Sequence, residues 1–321
     1  MKKRQNLFDV CFSILKQCLA IKAREICILI TDFADSALDM AFYEAILMHD
    51  AIPVLIRVPP ESYAQNFNLL ENTITSADVV IIHTKDIFPH TLRKKIAASG
   101  GRVLSLCAVT DEIARRTLAV DYPRLAKTTR AIAQLLAISK EMFISTPAGT
   151  ELSLSINNQI VICLDGLATE AGMITALPAG VVATVPLANS AEGVIVLDGS
   201  ISSLGLVKDP VIITVKEGRI TKIEGGETAQ KLEAILNLAD PNARCLAEVG
   251  IGTNPKAIYT GLLIEDERVY GSAHVGFGGN VHLGGYIESN LHIDATLKSP
   301  TVYVDRLLLV DKGRLLYPRR Q

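Results

Sequence analysis

Three of the chain's six histidines, His274, His282 and His292, fall within residues 274–292, and Asp294 follows the last at a spacing of two. Two imidazoles and a carboxylate are a common way to hold a divalent metal with coordination positions left open. In His292-Ile293-Asp294, a strand period of two sends both polar side chains to one face. Glycines at 276, 278, 279, 284 and 285 interrupt the stretch and permit turns and close backbone approaches. Upstream, Glu248 opens the glycine-rich run 247-AEVGIGTNP-255, where a carboxylate can cap or bridge a metal held from a neighbouring strand. These residues predict a metal site in the C-terminal third, made of Glu248, His274, His292 and Asp294. His282, Asn280 and Tyr286, between the ligands, are candidate substrate contacts. Glu265, Asp266 and Glu267 read as a solvated turn, Gly252-Thr253-Asn254 as a shaped turn, and His49, His83 and His90 as structural.

Such a site needs strands to carry it, and the periodicity supplies them in two styles. Over the first 140 or so residues, apolar runs at 26–30, 53–58, 78–83 and 102–106 alternate with helical patterns at 7–22, 35–49, 90–98 and 124–140. Continuous apolar strands separated by helices predict a doubly wound parallel sheet covered on both faces. Asp32, Thr84 and Thr110 then fall at strand carboxyl ends, where α/β proteins place ligand contacts. Neither GxGxxG nor GxxxxGK[ST] occurs, which argues against nucleotide binding. From about 143 the pattern changes to short strands, at 151–156, 193–199, 211–215 and 220–223, broken by one helix at 227–238. The expected fold is α/β: a parallel-sheet domain over 1–145, then a β-rich α+β metal-binding domain over 146–321.

With 321 residues, two domains are the better expectation. Apolar residues make up 49% and charged residues 21%, which fits a folded chain. A net charge of −2 gives no electrostatic reason to expect nucleic acid or an anionic membrane as partner. The basic start MKKRQ leads into apolar residues interrupted by Asp9, Lys16 and Gln17, an amphipathic helix rather than a secretion signal. No run reaches the ~18 apolar residues of a membrane span. Six scattered cysteines without a CxxC pair read as reduced core residues of a cytoplasmic protein.

The motifs AEVGIGTNP, EDERVYGSAHVGFGGN, SNLHID and PTVYVD, with the strand ILITD in the first half, together resemble the thermophilic metallo-aminopeptidases of the leucyl aminopeptidase and aminopeptidase T type. That superfamily is shared with iron-dependent dioxygenases that open 2,5-dihydroxypyridine. The resemblance implies Glu248, His274, His292 and Asp294 as metal ligands and a homodimer. It also implies a further ligand glutamate within 177-LPAGVVATVP-186, where Val181 stands, and a tyrosine where Val281 stands. The expectation drawn is a hydrolase acting on a short peptide or amino-acid-like molecule. Metal-activated water, from Zn, Co or Mn, would attack the amide, with Glu248 and His282 as catalytic groups. The alternatives are a mononuclear Fe(II) dioxygenase opening a small aromatic or pyridine ring, and a repurposed non-peptidase relative.

Overall fold

The computed structural model describes residues 6–59 and 70–317; the basic start at 1–5 lies outside them. The chain divides into two compact units: the residues up to Ala126 with Asp165–Ala179, and Lys127–Leu164 with everything from Gly180. The division thus falls inside the helix Tyr122–Ile138, whereas the boundary read near 145 lies at the end of the strand Glu141–Ser145.

The first unit holds a five-stranded parallel sheet in the order Ile52–Arg57, Ile26–Thr31, Val79–Thr84, Arg102–Cys107, Ile174–Ala176. Strands Ile26–Thr31 and Val79–Thr84 are buried almost end to end, as their unbroken apolar runs require when both faces are covered. The fifth strand comes from the later segment and was not legible as part of this sheet. The helix Leu7–Gln17 stops five residues short of its predicted end, with its N-terminus capped by Asn6 and its last backbone amide bonds leading into Cys18. The residues read as ligand contacts at the strand ends have local tasks. Both Asp32 oxygens accept the Lys85 amide at 3.1 and 3.0 Å, and Thr110 caps the helix Asp111–Thr117 through the Ile113 amide. His83 is buried between Asp39 and the Val109 carbonyl, as a structural histidine should be.

The second unit is a sandwich. One antiparallel sheet of eight strands runs in the order Arg219–Glu224, Val211–Lys216, Glu192–Leu197, Glu151–Ser155, Glu141–Ser145, Thr301–Val304, Leu307–Asp311, Arg314–Leu315. A seven-stranded sheet runs Gly205–Leu206, Ser200–Ile201, His292–Leu297, Ala273–Gly278, Leu246–Gly252, Val181–Thr184, Val161–Leu164. Ile144, Leu152, Ile195 and Ile213 from the first meet Val249, Val275, Phe277, Ile293 and Leu297 from the second in one buried core. Each such side chain contributes about 1.5–3 kcal/mol by leaving water. The helix Glu227–Leu238 adds Leu232 and Leu236 to it.

Two sequence expectations change here. Glu265 and Asp266 are fully buried rather than solvated. Asp266 accepts the Thr260 and Gly261 amides and the Thr260 hydroxyl, and Glu265 accepts the Ile258 amide, so the pair staples the 258–261 backbone. Cys163 is exposed and Cys107 half-buried, while the other four cysteines are buried, and none of the six forms a disulfide. No helix among the described residues is long and apolar enough to cross a membrane. Replacing Asp266 by Ala leaves the half-buried Thr260 and Gly261 amides without their acceptor, at about 1–3 kcal/mol each. A denaturant titration of Asp266→Ala should show a loss of at least about 2 kcal/mol.

Candidate metal centre

The site lies on three adjacent antiparallel strands of the seven-stranded sheet. In Ala273–Gly278 the alternation is strict: Ala273, Val275 and Phe277 enter the core, while His274, Gly276 and Gly278 face away from it. In His292–Leu297, Ile293, Ala295 and Leu297 likewise enter the core, leaving His292 and Asp294 on the opposite face. The third strand needs a correction to reach the same result. Leu246 pairs with Phe277 on the core side, but the register shifts, and Glu248 pairs with Gly276 on the site side. A bulge at this point re-aims Glu248 without withdrawing Leu246 from the core. Asn280 holds it: its amide donates to the Ala247 carbonyl at 3.2 Å while its oxygen accepts the Ile287 amide at 2.8 Å. Asn280 is thus engaged by backbone rather than offered to a ligand.

Glu248 and Asp294 flank Gly276 in the register. A Cβ at 276 would lie 2.5 Å from Asp294 Oδ1, 3.1 Å from Glu248 Cβ and 3.2 Å from His292 Cε1. Gly276 is therefore the floor over which the three side chains converge. Glu248, His292 and Asp294 each offer a ligand atom within 4.8 Å of the others. His292 Nε2 is 3.0 Å from Asp294 Oδ1 and 3.6 Å from Glu248 Oε2. On the other side of the ring, Nδ1 donates to the Gly279 carbonyl at 2.7 Å, the arrangement that orients a metal-binding imidazole. Asp294 Oδ1 is buried, with His292 Nε2 as its close polar neighbour. A buried carboxylate oxygen beside a second carboxylate and an oriented imidazole fits a divalent cation. His274, fully buried one strand away, reaches Glu248 Oε1 with Nε2 at 3.1 Å.

The charges explain the protonation. Burial opposes a charged His292 ring, but the hydrogen bond and charge of Asp294, with the charge of Glu248, push its pKa up to about 9. For His274, burial also opposes the charge, and the hydrogen bond and charge of Glu248 carry its pKa above the ordinary value. Without a cation, imidazolium supplies the positive charge that two adjacent carboxylates need.

Val181 stands opposite Gly252 on the ligand-bearing face, buried and with no oxygen to give. Val281 is exposed at the start of a short 3-10 turn and helps line a groove of about 570 Å³ with His282, Ile287, Glu288, Leu291 and His292. The His282 ring meets the His292 ring edge-on at 4.6 Å, so this sequence candidate does adjoin the cluster. Tyr286 is 93% exposed and does not line the groove. Ile287 and Leu291 carried no sequence signal of their own.

A family model described as NicX: 2,5-dihydroxypyridine 5,6-dioxygenase matches residues 6–317. The 2,5-dihydroxypyridine 5,6-dioxygenase of Pseudomonas putida KT2440 is 24% identical over 264 residues, 78% of this chain and 75% of that protein. The solved structure of 2,5-dihydroxypyridine dioxygenase from the same organism aligns at a TM-score of 0.82 and 21% identity, covering 98% of this chain and 97% of that one. Wild-type AmpT from Thermus thermophilus aligns at 0.67 and 13% identity, covering 97% and 98%. These matches overturn the expectation of an aminopeptidase-type hydrolase. The likeness to AmpT is one of fold, and both the family model and the sequence relative are dioxygenases.

Two outcomes follow for metal binding. A metal takes the His292 Nε2 lone pair only after its proton leaves, so affinity should rise with pH up to about pH 9, by as much as about tenfold per unit, and then level off. In the metal-free protein the sign is opposite. The raised pKa makes His292 stabilising below its ordinary 6.5, and that contribution fades as pH climbs through about 9. Chelator competition and thermal melts across pH 6–10 check both. Separately, Gly276→Ala pushes a methyl into the Asp294 carboxylate and should cut metal affinity by more than about 10-fold while the circular dichroism spectrum is kept.

Proposed function

The chain belongs to the 2,5-dihydroxypyridine 5,6-dioxygenase family, and from that premise we propose that it is a mononuclear Fe(II) dioxygenase opening a hydroxylated pyridine or closely related ring. The observation that carries this reading is the convergence of Glu248, His292 and Asp294 on one point beside an open groove. A donor set of imidazole and carboxylates on one side of an ion leaves other positions for substrate and dioxygen. Ferrous iron, when bound there, supplies the electron chemistry by which dioxygen reacts with a closed-shell ring.

The chain's own residues do the rest. The Gly279 carbonyl fixes the His292 ring, and the bulge pinned by Asn280 aims Glu248. Val281, Ile287 and Leu291 give the groove an apolar wall that suits a flat ring and displaces water. Glu288, Ser289, Asn290 and His282 are polar groups of the same wall. A hydroxyl on the ring loses its proton as it approaches the cluster, and His282, against the His292 ring, is the group placed to take and later return it.

Oxygen uptake by iron-loaded protein with 2,5-dihydroxypyridine tests the reading. Stoichiometric uptake with loss of the ring's ultraviolet absorbance is expected. His292→Ala should lower turnover by more than the about 100-fold typical of losing an outer partner of a metal ligand. No uptake with any hydroxylated pyridine would contradict the proposal.

A further inference from the structure

Resting on the reading that Glu248, His292 and Asp294 hold a metal, we infer that His274 is not a ligand but a positioning residue that acts through Glu248, leaving a set of one imidazole and two carboxylates. The two oxygens of Glu248 divide their work: Oε1 lies 3.1 Å from His274 Nε2, and Oε2 points toward His292 Nε2 at 3.6 Å. A carboxylate accepts only, so Nε2 of His274 is the donor. That nitrogen is the one a ligand role would require without its proton.

The opposite nitrogen decides between the two roles. His274 Nδ1 is fully buried with no hydrogen-bond partner. If Nε2 bound a metal, a neutral ring would carry its proton on Nδ1, stranding a buried N–H donor where metal-binding histidines almost always find an acceptor. In a neutral ring whose Nε2 donates to Glu248, Nδ1 is a bare lone pair, and an unsatisfied buried acceptor is more tolerated than an unsatisfied N–H. His292 shows the contrasting pattern, with Nδ1 anchored on Gly279 and Nε2 turned to the cluster. The ring of His274 is also held in place by its neighbours. A Cβ on Gly250 would fall 2.1 Å from His274 Cε1 and 2.6 Å from Nε2, so the imidazole lies directly on the Gly250 backbone. Gly250 thus makes room for the ring that orients Glu248, as Gly276 makes room for the ligands.

Two carboxylates cancel the charge of a divalent ion, where two imidazoles and one carboxylate leave it cationic. The carboxylate oxygens of such a set suit manganese, and its imidazole suits iron.

Pulsed EPR on wild-type protein loaded with one equivalent of Cu²⁺ counts coordinated imidazoles, and isothermal titration with Mn²⁺ reads affinity and stoichiometry. One imidazole is expected. His274→Ala should still bind one Mn²⁺ with Kd raised about 10–100-fold, His274→Gln should recover most of that loss by donating from its amide, and His292→Ala should lose stoichiometric binding. Two imidazoles in the wild type, or loss of stoichiometric binding in His274→Gln with the fold intact by circular dichroism, would overturn the positioning role alone. Absence of any stoichiometric metal in the wild type would overturn the proposed function together with it.

Discussion

Two carboxylates brought together against a half-buried imidazole repel one another, and a positive charge among them relieves that repulsion. Glu248 and Asp294 are in that position on either side of Gly276, with Asp294 Oδ1 buried against His292 Nε2. In the metal-free protein the charge comes from a protonated His292, and in the loaded protein it comes from the cation. Several features of the second unit keep these groups at that separation. Three hydrogen-bonded strands set the spacing, a glycine floor removes the side chain that would intrude, and the Gly279 carbonyl and Asn280 lock a ring and a bulge.

Rigidity of this kind has to be supplied from the other side of the sheet. The alternate residues of the same three strands, Val249, Ile251, Val275, Phe277, Ile293 and Leu297, pack into the sandwich core. A slip of one residue in any of them would put ligands in the core and apolar groups on the site. Core burial and site geometry are therefore one constraint: the register that keeps Phe277 and Ile293 buried is the register that points His292 and Asp294 together.

Much of this was legible in the sequence because it follows period two. The H-x-D pair, the alternating AHVGFG strand and the parallel-sheet half could be read from residue spacing, and the strands and helices fall within a few residues of where the pattern puts them. What could not be read depends on departures from the period. The bulge before Glu248 leaves no mark on alternation, since LAEVGIG reads equally well without it. The burial of Glu265 and Asp266 follows from a loop folding back onto them, a long-range event that a run of three acids conceals. The fifth strand, Ile174–Ala176, joins a sheet whose other members precede it by more than 60 residues, a distance set by topology rather than local pattern. The hydrolase expectation arose from ligand motifs that two chemistries share on one scaffold, and a fold alone does not separate them.

The central claim is a single oxygen-rich site that takes iron. Metal analysis of protein purified anaerobically without chelator tests it most directly. The account predicts about one iron per chain, lost in His292→Ala; two zinc, cobalt or manganese ions per chain would contradict it.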